Sequence, residues 1–422
     1  MKNTLLNFGL FLVLLVSGCG AGFNGQLVGV QDRPGWNNII PYGMVYVPSG
    51  NLHIGQSGQD VNYSMIQRTK SISIQGFFMD DTEITNNEYR QFVHWVRDSI
   101  TAFTLGGDFI SEGEEGSEGE SVNWEFMQDF DYNDEEYKES LEELHYPENE
   151  QMWGKHEMDV SKFVFDYYWL DIKEAARVSN RGKPRSDFFR SGTTHVYPDT
   201  LVWVRDFSYS YNEPMTRNYF WHPAFDDYPV VGVTWDQANA FSAWRTKFWG
   251  DYRSSRGEPI NDPFRLPTEH EWEYAARGGK DLAPYPWGGP YLRNSKGCLL
   301  ANFKPGRGNY PDDGGFYTVR ADAYWPNDYG LFNMSGNVAE WTSTAFFENA
   351  YSFAHDLNPD VRYDATEDDD ITMKRKVIRG GSWKDIGYFL QTSTRDFEYQ
   401  DSAKSYVGFR NVLTFLGRSI ND

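Results

Sequence analysis

The stretch GLFNMSGNVAEW, from Gly330 to Trp341, brings two asparagines, two glycines and a glutamate together among apolar residues. Its glycines permit positive φ angles and close approach of other backbone. Asn333, Asn337 and Glu340 supply amide and carboxylate oxygens, and the backbone between them supplies carbonyl oxygens. A hard cation such as calcium binds this mixture of oxygens. A polar turn whose asparagines bond to their own backbone fits the same spacing, so spacing alone leaves both interpretations open.

Other segments strengthen the interpretation when they are taken together with this stretch. In chain order they are DDTEITNNEYRQF (Asp80 to Phe92), PVVGVTWDQANAF (Pro229 to Phe241), RLPTEHEWEYAARGG (Arg265 to Gly279), RGGSW (Arg379 to Trp383) and GFR (Gly408 to Arg410). With the central stretch they resemble the formylglycine-generating-enzyme family. The resemblance implies an irregular, loop-rich α+β fold related to C-type lectins. It covers most of the chain outside one long insertion.

The local patterns agree with an α+β fold. Alternating polar and apolar residues predict strands within Gly43 to Gly55 and a further strand at Ser71 to Asp80. Capping boxes predict three helix starts, at Thr85 with Glu88, Thr234 with Gln237, and Thr268 with Glu271. Gly278 is placed to end the third helix. His94 and His270 lie within these helices, and we expect them to be core or surface residues rather than metal ligands.

The insertion runs from about Thr101 to Phe225 and begins with an acidic half. The chain has 422 residues and a formal charge of −22, which makes duplex nucleic acid an unsuitable partner. Residues 111–150 contain sixteen acidic side chains and one lysine. We expect Ser111 to Ser121 to be disordered and the segments after it to form amphipathic helix. The acidic half is either a solvated loop or a docking surface for a basic partner.

The later, aromatic half of the insertion differs in composition, and the passage from His195 to Val233, which includes its end, is dense in tyrosine, tryptophan and phenylalanine. This composition is typical of a core, but it is also typical of an interface, where Tyr, Trp and Arg dominate the binding energy. The interface interpretation predicts that the partner-binding residues are Trp203, Arg205, Tyr209, Tyr211, Arg217 and Trp221.

The start of the chain has the pattern of an exported lipoprotein. Residues 1–18 combine a positive charge with a short apolar run, which is typical of an export signal. The tetrad Val-Ser-Gly-Cys that ends at Cys19 resembles a bacterial lipoprotein box, with the Cys19 thiol as lipid acceptor. Residues 19–41 are predicted to be a lipidated tether to a domain at 42–416. Since an acylated Cys19 cannot pair with it, Cys298 is expected to be a buried free thiol.

The family resemblance also concerns catalysis. Formylglycine-generating enzymes bind copper through two cysteines that follow the RGGS-type motif. The corresponding positions here hold Asp385 and Leu390. A carboxylate and an isobutyl group cannot replace two soft thiolates as copper ligands. We therefore expect no copper and no enzyme activity, with Ser382 lacking a catalytic partner.

The calcium sites of the family have matching residues in this chain. The resemblance implies one site at Asn333, the carbonyls of Gly336 and Val338, and Glu340. It implies a second site at Asn302, the carbonyl of Phe303, and Asp313. Calcium is accordingly the expected cofactor, in a structural role.

A narrower resemblance concerns function. The lipoprotein box, the segment from Met79 to Ser99 and the aromatic half of the insertion resemble the GldK (PorK) family of gliding-motility lipoproteins. The resemblance implies a lipid-anchored structural subunit of the type IX secretion and gliding machinery. Such a subunit self-associates in a periplasmic ring at the outer membrane, together with a GldN/PorN-like companion subunit.

Two alternatives remain open from the sequence: a periplasmic non-heme metal enzyme of the same superfamily, and a glycan-binding lipoprotein. Each has a distinguishing observation. A cleft of perturbed titratable groups at Asp385 and Ser382 favours the enzyme. Exposed aromatic side chains beside a solvent-open calcium site favour glycan binding, and a broad aromatic surface with a polar rim favours assembly.

Overall fold

The computed structural model describes residues 39–55, 69–112, 120–206, 214–259, 262–306 and 309–417. The predicted export signal, Cys19 and most of the tether lie outside these ranges. From Ile39 onward the chain forms one compact unit that contains its own hydrophobic core. No helix within the described ranges is long and apolar enough to cross a membrane.

The strands are short and lie in several small sheets. Their bounds are β1 (Met44–Val47), β2 (Gly50–Ile54), β3 (Lys70–Ile74), β4 (Phe77–Asp80), β5 (Ile110–Glu112), β6 (Glu120–Val122), β7 (Val164–Leu170), β8 (Phe189–His195), β9 (Ala339–Ala345), β10 (Arg375–Arg379), β11 (Asp396–Tyr399), β12 (Val407–Gly408) and β13 (Val412–Thr414). Two sheets form the centre of the fold, with orders β1-β4-β13 and β11-β10-β9-β12, and only β12 pairs in parallel, with β9. The pairs β2-β3, β5-β6 and β7-β8 are antiparallel hairpins.

Within the described ranges, three α-helices exceed two turns, and the others have seven residues or fewer. Their bounds are α1 (Asn86–Leu105), α2 (Trp124–Met127), α3 (Glu135–Leu141), α4 (Ile172–Ala175), α5 (Val202–Asp206), α6 (Met215–Asn218), α7 (Trp235–Ser255), α8 (Glu269–Arg277) and α9 (Ala350–Phe353). The long helices α1, α7 and α8 begin at the three predicted capping boxes. Gly278 ends α8 in the left-handed conformation, as predicted.

The prediction of a single strand from Ser71 to Asp80 was wrong, because the chain changes sheets within it. β3 pairs with β2, while β4 pairs with β1 and β13. Gly76 lies at the switch, where an added Cβ would meet the backbone nitrogen of Ser49 at 3.3 Å. A residue without a side chain therefore allows the tight passage from one sheet to the next.

The main hydrophobic cluster lies between α1, α7 and the four-stranded sheet. Tyr89 of α1 stacks on Phe241 of α7 with their ring centroids 5.7 Å apart. Trp341 of β9 and Phe409 enter the cluster from the sheet. Each fully buried side chain of this size contributes roughly 1.5–3 kcal/mol relative to an exposed one, so this cluster fixes the two helices against the central strands.

The insertion takes part in this core. Phe163, Phe165, Val196 and Phe220 are buried in the main cluster, and the ring of Phe165 packs edge-on against Phe92 of α1 at 5.4 Å. The insertion is therefore built into the core of the domain and is not a separate module on its surface.

The acidic half of the insertion forms short elements beside α1. The predicted helices are present as α2 and α3. The predicted disorder of Ser111 to Ser121 is wrong at the ends of that segment, because β5 and β6 pair there as a hairpin. Residues 113–119 lie outside the described part of the chain.

Candidate functional site

The central loop that precedes β9 has an unusual backbone. Gly330, Asn333, Gly336 and Asn337 all have positive φ, between 50° and 89°. A Cβ at Gly336 would lie 2.3 Å from the carbonyl oxygen of Asn302. Only glycine permits this close approach. The loop thereby packs directly on the backbone of the segment that contains the second predicted calcium site.

Glu340, the first charged residue after the loop, is completely buried and paired with Arg410. Arg410 donates from Nη2 to Oε1 of Glu340 at 2.6 Å and from Nε to Oε2 at 2.7 Å. The indole Nε1 of Trp272 donates to Oε2 at 2.7 Å. Since a bidentate guanidinium and an indole already satisfy this carboxylate, its charge is balanced inside the protein.

The two loop asparagines bind a glutamate that sequence reasoning did not identify. Nδ2 of Asn333 donates to Oε2 of Glu83 at 3.2 Å, and Nδ2 of Asn337 donates to Oε1 at 3.1 Å. Asn333 also donates to the carbonyl of Ala321 at 2.8 Å, so its nitrogen has a backbone acceptor besides Glu83. Burial raises the pKa of Glu83 to about 8; Arg410 opposes the rise.

These contacts do not fit the calcium site predicted at Asn333, Gly336, Val338 and Glu340. A calcium ion needs oxygen ligands, but both loop asparagines present amide nitrogens to Glu83. The guanidinium of Arg410, bound to both oxygens of Glu340, would repel a divalent cation at that carboxylate. Within the described ranges, no group of three or more His, Cys, Asp or Glu side chains is placed to hold a metal.

The second predicted site, at Asn302, Phe303 and Asp313, fits calcium better. Oδ1 of Asn302 is buried and has no hydrogen-bond partner among the described residues. The Asp313 carboxylate accepts from the backbone nitrogen of Phe303, the residue after Asn302, at 2.7 Å and from that of Gly315 at 3.1 Å. Burial raises the pKa of Asp313. An unsatisfied amide oxygen and a desolvated carboxylate are the features that a bound cation would stabilise.

A second buried ion-pair network holds the RGGSW segment against α8. Arg379 lies 3.2 Å from Glu269 and 3.1 Å from Glu273, and Arg395 lies 2.6 Å from Glu269. Burial alone would raise the pKa of Glu269, but Arg395, His270 and Arg379 hold it down to about 2. His270 is itself buried in this helix, which agrees with the predicted core role. The network anchors the backbone that leads into Gly380.

The two positions that hold cysteines in the enzyme family have different environments here. Leu390 is fully buried in an apolar cluster with Tyr285, Ala301 and Phe303. Asp385 lines a cavity, and Oγ of Ser382 donates to its Oδ2 at 2.6 Å. Neither side chain is a thiol, and one of them is sealed in the core. The residues present at these positions therefore do not fit a copper ion.

The cavity at Asp385 has a volume of about 70 Å³ and is lined by several charged groups. Asp396 and Lys384 line it with Asp385, and the Lys384 ammonium lies 3.1 Å from the ring centroid of Tyr406. Burial raises the pKa of both aspartates and lowers the pKa of Lys384. Such a site can hold water or a small polar ligand and exchange protons with it. Sequence reasoning did not connect Lys384 and Asp396 with this site.

Trp203, the first predicted partner-binding residue, belongs to the core of the domain and is not accessible on its surface. The side chain is 2% exposed and stacks on Trp383 with the ring centroids 5.9 Å apart. Tyr219 and Val231 are buried in the same cluster. The aromatic half of the insertion thus covers the segment that follows RGGS.

Other members of the predicted set are accessible. Arg205 is exposed and paired with Asp199, and Arg217 is exposed on α6. Trp221 is 42% exposed and stacks on His94 at 5.6 Å. Tyr209 and Tyr211 lie outside the described residues. The accessible members expose one large aromatic ring and two guanidinium groups on the surface.

Cys298 is exposed, contrary to the prediction of a buried thiol. It lies in a surface turn in which Asn294 accepts a hydrogen bond from the backbone nitrogen of Cys298 at 3.0 Å. Because the backbone of this turn makes its hydrogen bonds within the turn, the segment can lie on the surface with the thiol exposed.

The capped helices, the positive-φ loop and the two buried ion-pair networks together define an enzyme-type α+β scaffold of the sulfatase-modifying kind. The family model described as "Sulfatase-modifying factor enzyme 1-like domain" matches residues 37–415, and the chain belongs to this family. The fold class and the superfamily predicted from the sequence are thereby confirmed.

Relatives within the family carry different descriptions. The chain is 26% identical to the formylglycine-generating enzyme of Bos taurus over 426 residues, covering 95% of this chain and 87% of the relative. It is 30% identical to the inactive C-alpha-formylglycine-generating enzyme 2 of Bos taurus over 239 residues, covering 53% and 63%. Among solved structures it is similar to PvdO from Pseudomonas aeruginosa, with 16% identity, a TM-score of 0.48 and coverage of 88% and 94%.

Proposed function

We propose that this chain is a lipid-anchored structural subunit that uses the enzyme-type fold as a scaffold without copper chemistry. In this proposal it belongs to the type IX secretion and gliding machinery and is attached to the outer membrane through Cys19. It forms a periplasmic ring with further copies of itself and with a companion subunit of the GldN/PorN kind. The resemblance of its lipoprotein box and insertion to GldK supports this assignment.

The observation that carries the proposal is the environment of Leu390. Its side chain is sealed among Tyr285, Ala301 and Phe303. Replacing a ligand thiolate by this packed isobutyl group removes half of the metal site and fills the space with core. Asp385, at the other cysteine position, accepts a hydrogen bond from Ser382. A scaffold tolerates both changes, whereas the copper chemistry of the family does not.

The insertion gives the scaffold a surface for partners. Its inner residues are part of the domain core, so it is held rigidly. Its outer residues include the exposed Trp221 and Arg217. Large aromatic rings and arginines on a rigid support are typical of binding hot spots.

Assembly is tested by gentle detergent extraction and pull-down of the tagged protein from its own cells. We expect ring components to copurify with the wild-type chain. With Cys19→Ala we expect a soluble or mislocalised protein, since acyl chains add about 0.8 kcal/mol of membrane affinity per buried methylene. A wild-type protein that copurifies with no other envelope protein would contradict the assembly role.

Loss of the copper chemistry is tested separately. Purified protein incubated with a cysteine-containing sulfatase peptide, with and without copper, should give no formylglycine by mass spectrometry. The double variant Asp385→Cys/Leu390→Cys serves as a control for copper binding. Conversion by the wild-type protein would overturn the scaffold proposal even if ring components copurify.

The charged cavity favours a second candidate function, that of an enzyme or receptor for a small polar ligand. Asp385, Asp396 and Lys384 form the kind of perturbed cleft that is common at active sites. Asp396→Asn should leave assembly unchanged under the scaffold proposal. If Asp396→Asn abolishes the cellular function while the ring still assembles, the cavity and not the scaffold is the functional centre.

We further propose that the protein binds a structural calcium ion at Asn302 and Asp313. The support is the unsatisfied Oδ1 of Asn302, together with the desolvated carboxylate of Asp313, which accepts from the backbone nitrogen of Phe303, the residue after Asn302. A second calcium at Glu340 is not part of this proposal, because Arg410 occupies that carboxylate.

A further inference from the structure

The outer end of the β7-β8 hairpin has the opposite charge to the chain as a whole. Residues 171–190, here called the basic tip, contain six lysine and arginine side chains and three carboxylates, whereas the whole chain has a formal charge of −22. All six basic residues are exposed. Among the described residues, four of them form no ion pair with any carboxylate: Lys173, Arg181, Lys183 and Arg185.

The basic tip also exposes large apolar side chains. Val178 is 87% exposed, Ile172 is 61% exposed, and Phe189 is about half exposed. Tyr168 and Trp169, the neighbouring aromatics on β7, are exposed as well. Aliphatic side chains at the end of a projection, aromatic rings behind them and basic residues around them are typical of segments that enter a membrane interface.

The tip is a small folded lobe with its own internal contacts. Asp171 donates its backbone N–H to the carbonyl of Phe188 at 2.9 Å, and its carboxylate caps the following turn at the backbone nitrogen of Glu174. Nδ2 of Asn180 donates to both the carbonyl and the carboxylate of Glu174 at 2.9 Å. Phe188 and Asn180 are buried. The exposed groups are therefore held in place before binding, which lowers the ordering cost of docking.

We propose that the basic tip docks on an anionic lipid surface. Val178 and Ile172 enter the boundary between headgroups and acyl chains, and Tyr168 and Trp169 lie at headgroup level. The unpaired basic side chains bind lipid phosphates. These cations are spread along the tip from position 173 to position 185, and such a distribution suits a continuous layer of phosphates better than a single acidic side chain. This docking does not depend on the acyl group at Cys19 or on ring assembly.

The test uses residues 20–422, which lack the export signal and Cys19 but keep the whole compact unit from Ile39 onward. Binding is measured by cosedimentation with vesicles of phosphatidylcholine alone and of phosphatidylcholine mixed two to one with phosphatidylglycerol. We expect the protein to bind the anionic vesicles at low salt, to bind the neutral vesicles at least about tenfold more weakly, and to dissociate at high salt.

Charge and apolar contact are separated by variants. Lys183→Glu/Arg185→Glu should lower binding to anionic vesicles at least about tenfold. The matched control Lys247→Glu/Lys296→Glu changes the net charge equally at exposed residues outside the tip, and it should bind nearly as well as wild type. Val178→Ser keeps the charge and should weaken binding to the anionic vesicles by about threefold or more, because it removes the methyl groups that enter the lipid. Circular dichroism and melting curves check that each variant is folded.

Three results would overturn the proposal. The first is no binding of the folded wild-type protein to anionic vesicles at low salt. The second is equal loss in the tip variant and in the matched control, which would make the effect one of net charge. The third is a wild-type protein that does not bind vesicles but self-associates in a salt-sensitive way, with the tip variant abolishing this self-association. In that case the tip binds the acidic half of the insertion in a second copy. The first two results do not bear on copurification of ring components, so failure of the lipid proposal is distinguishable from failure of the ring proposal.

Discussion

Replacement of Glu340 by glutamine tests whether this buried carboxylate serves Arg410 or a calcium ion. In the fold, Arg410 makes two hydrogen bonds to Glu340, and Trp272 makes a third. The amide of glutamine keeps one acceptor and turns an NH₂ group toward a donor. Arg410 keeps the carbonyls of Asp80 and Phe332, at 3.1 and 3.0 Å, but loses its counter-charge.

The expected cost follows from this loss. Removing one partner of a fully buried ion pair destabilises proteins by about 3–5 kcal/mol, since the other charge stays buried without compensation. The control is Glu348→Gln, at an exposed glutamate that lies 2.9 Å from Arg375. Exposed pairs of this kind contribute below about 1 kcal/mol. The double variant Glu340→Gln/Arg410→Leu should lose less stability than the sum of its single variants.

The assay is urea unfolding of residues 20–422, in excess chelator and in excess calcium. We expect the loss caused by Glu340→Gln to be the same in both conditions. If the wild-type protein in chelator were as unstable as the variant, and if calcium restored only the wild type, Glu340 would be a calcium ligand and the assignment to Arg410 would be refuted.

The remaining predictions concern a titrating group, a metal and the insertion. Burial raises the pKa of Glu83 from 4.5 to about 8. Between these pH values the folded state binds more protons than the unfolded state, so the free energy of unfolding should fall as the pH rises from about 5 to 8. Glu83→Gln should flatten this part of the pH profile measured by urea unfolding. Calcium titrated calorimetrically should bind the wild type more tightly than Asn302→Ala or Asp313→Asn, and equal affinities would exclude this site. Trp203→Ala should cost about 3–5 kcal/mol in unfolding free energy. Trp221→Ala should keep the fold and weaken binding of the proposed companion subunit by about 2 kcal/mol or more. The opposite pattern would place Trp203 in the interface.

Local signals in the sequence were sufficient to predict where the three long helices begin. A capping box such as Thr85 with Glu88 satisfies backbone groups within one turn, so its four residues specify the start of α1 without knowledge of the rest of the chain. The order of the motifs was sufficient for the family, because the matched segments span the domain.

Contacts between distant segments could not be predicted in this way. Glu83 and Asn337 are 254 positions apart, and nothing in either segment alone indicates that an asparagine nitrogen faces a carboxylate. The environment of Trp203 could not be predicted either, because cores and interfaces share the same aromatic composition. The sequence shows which residues are able to bind a cation or a partner, but burial decides which of them remain free to do so.

The pairing of β4 has a consequence for how the chain acquires its fold. β4 lies between β1, which precedes it closely, and β13, near the end of the chain. Asp80 at the end of β4 also accepts from the backbone nitrogen of Asn411, 331 positions away. During synthesis the apolar strand β4 therefore keeps one edge unpaired until β13 has emerged. Contacts of such long sequence separation form slowly, and an unpaired strand edge invites aggregation meanwhile. We expect folding of the domain to be limited by the arrival of β13, and deletion of the β13 residues to block folding.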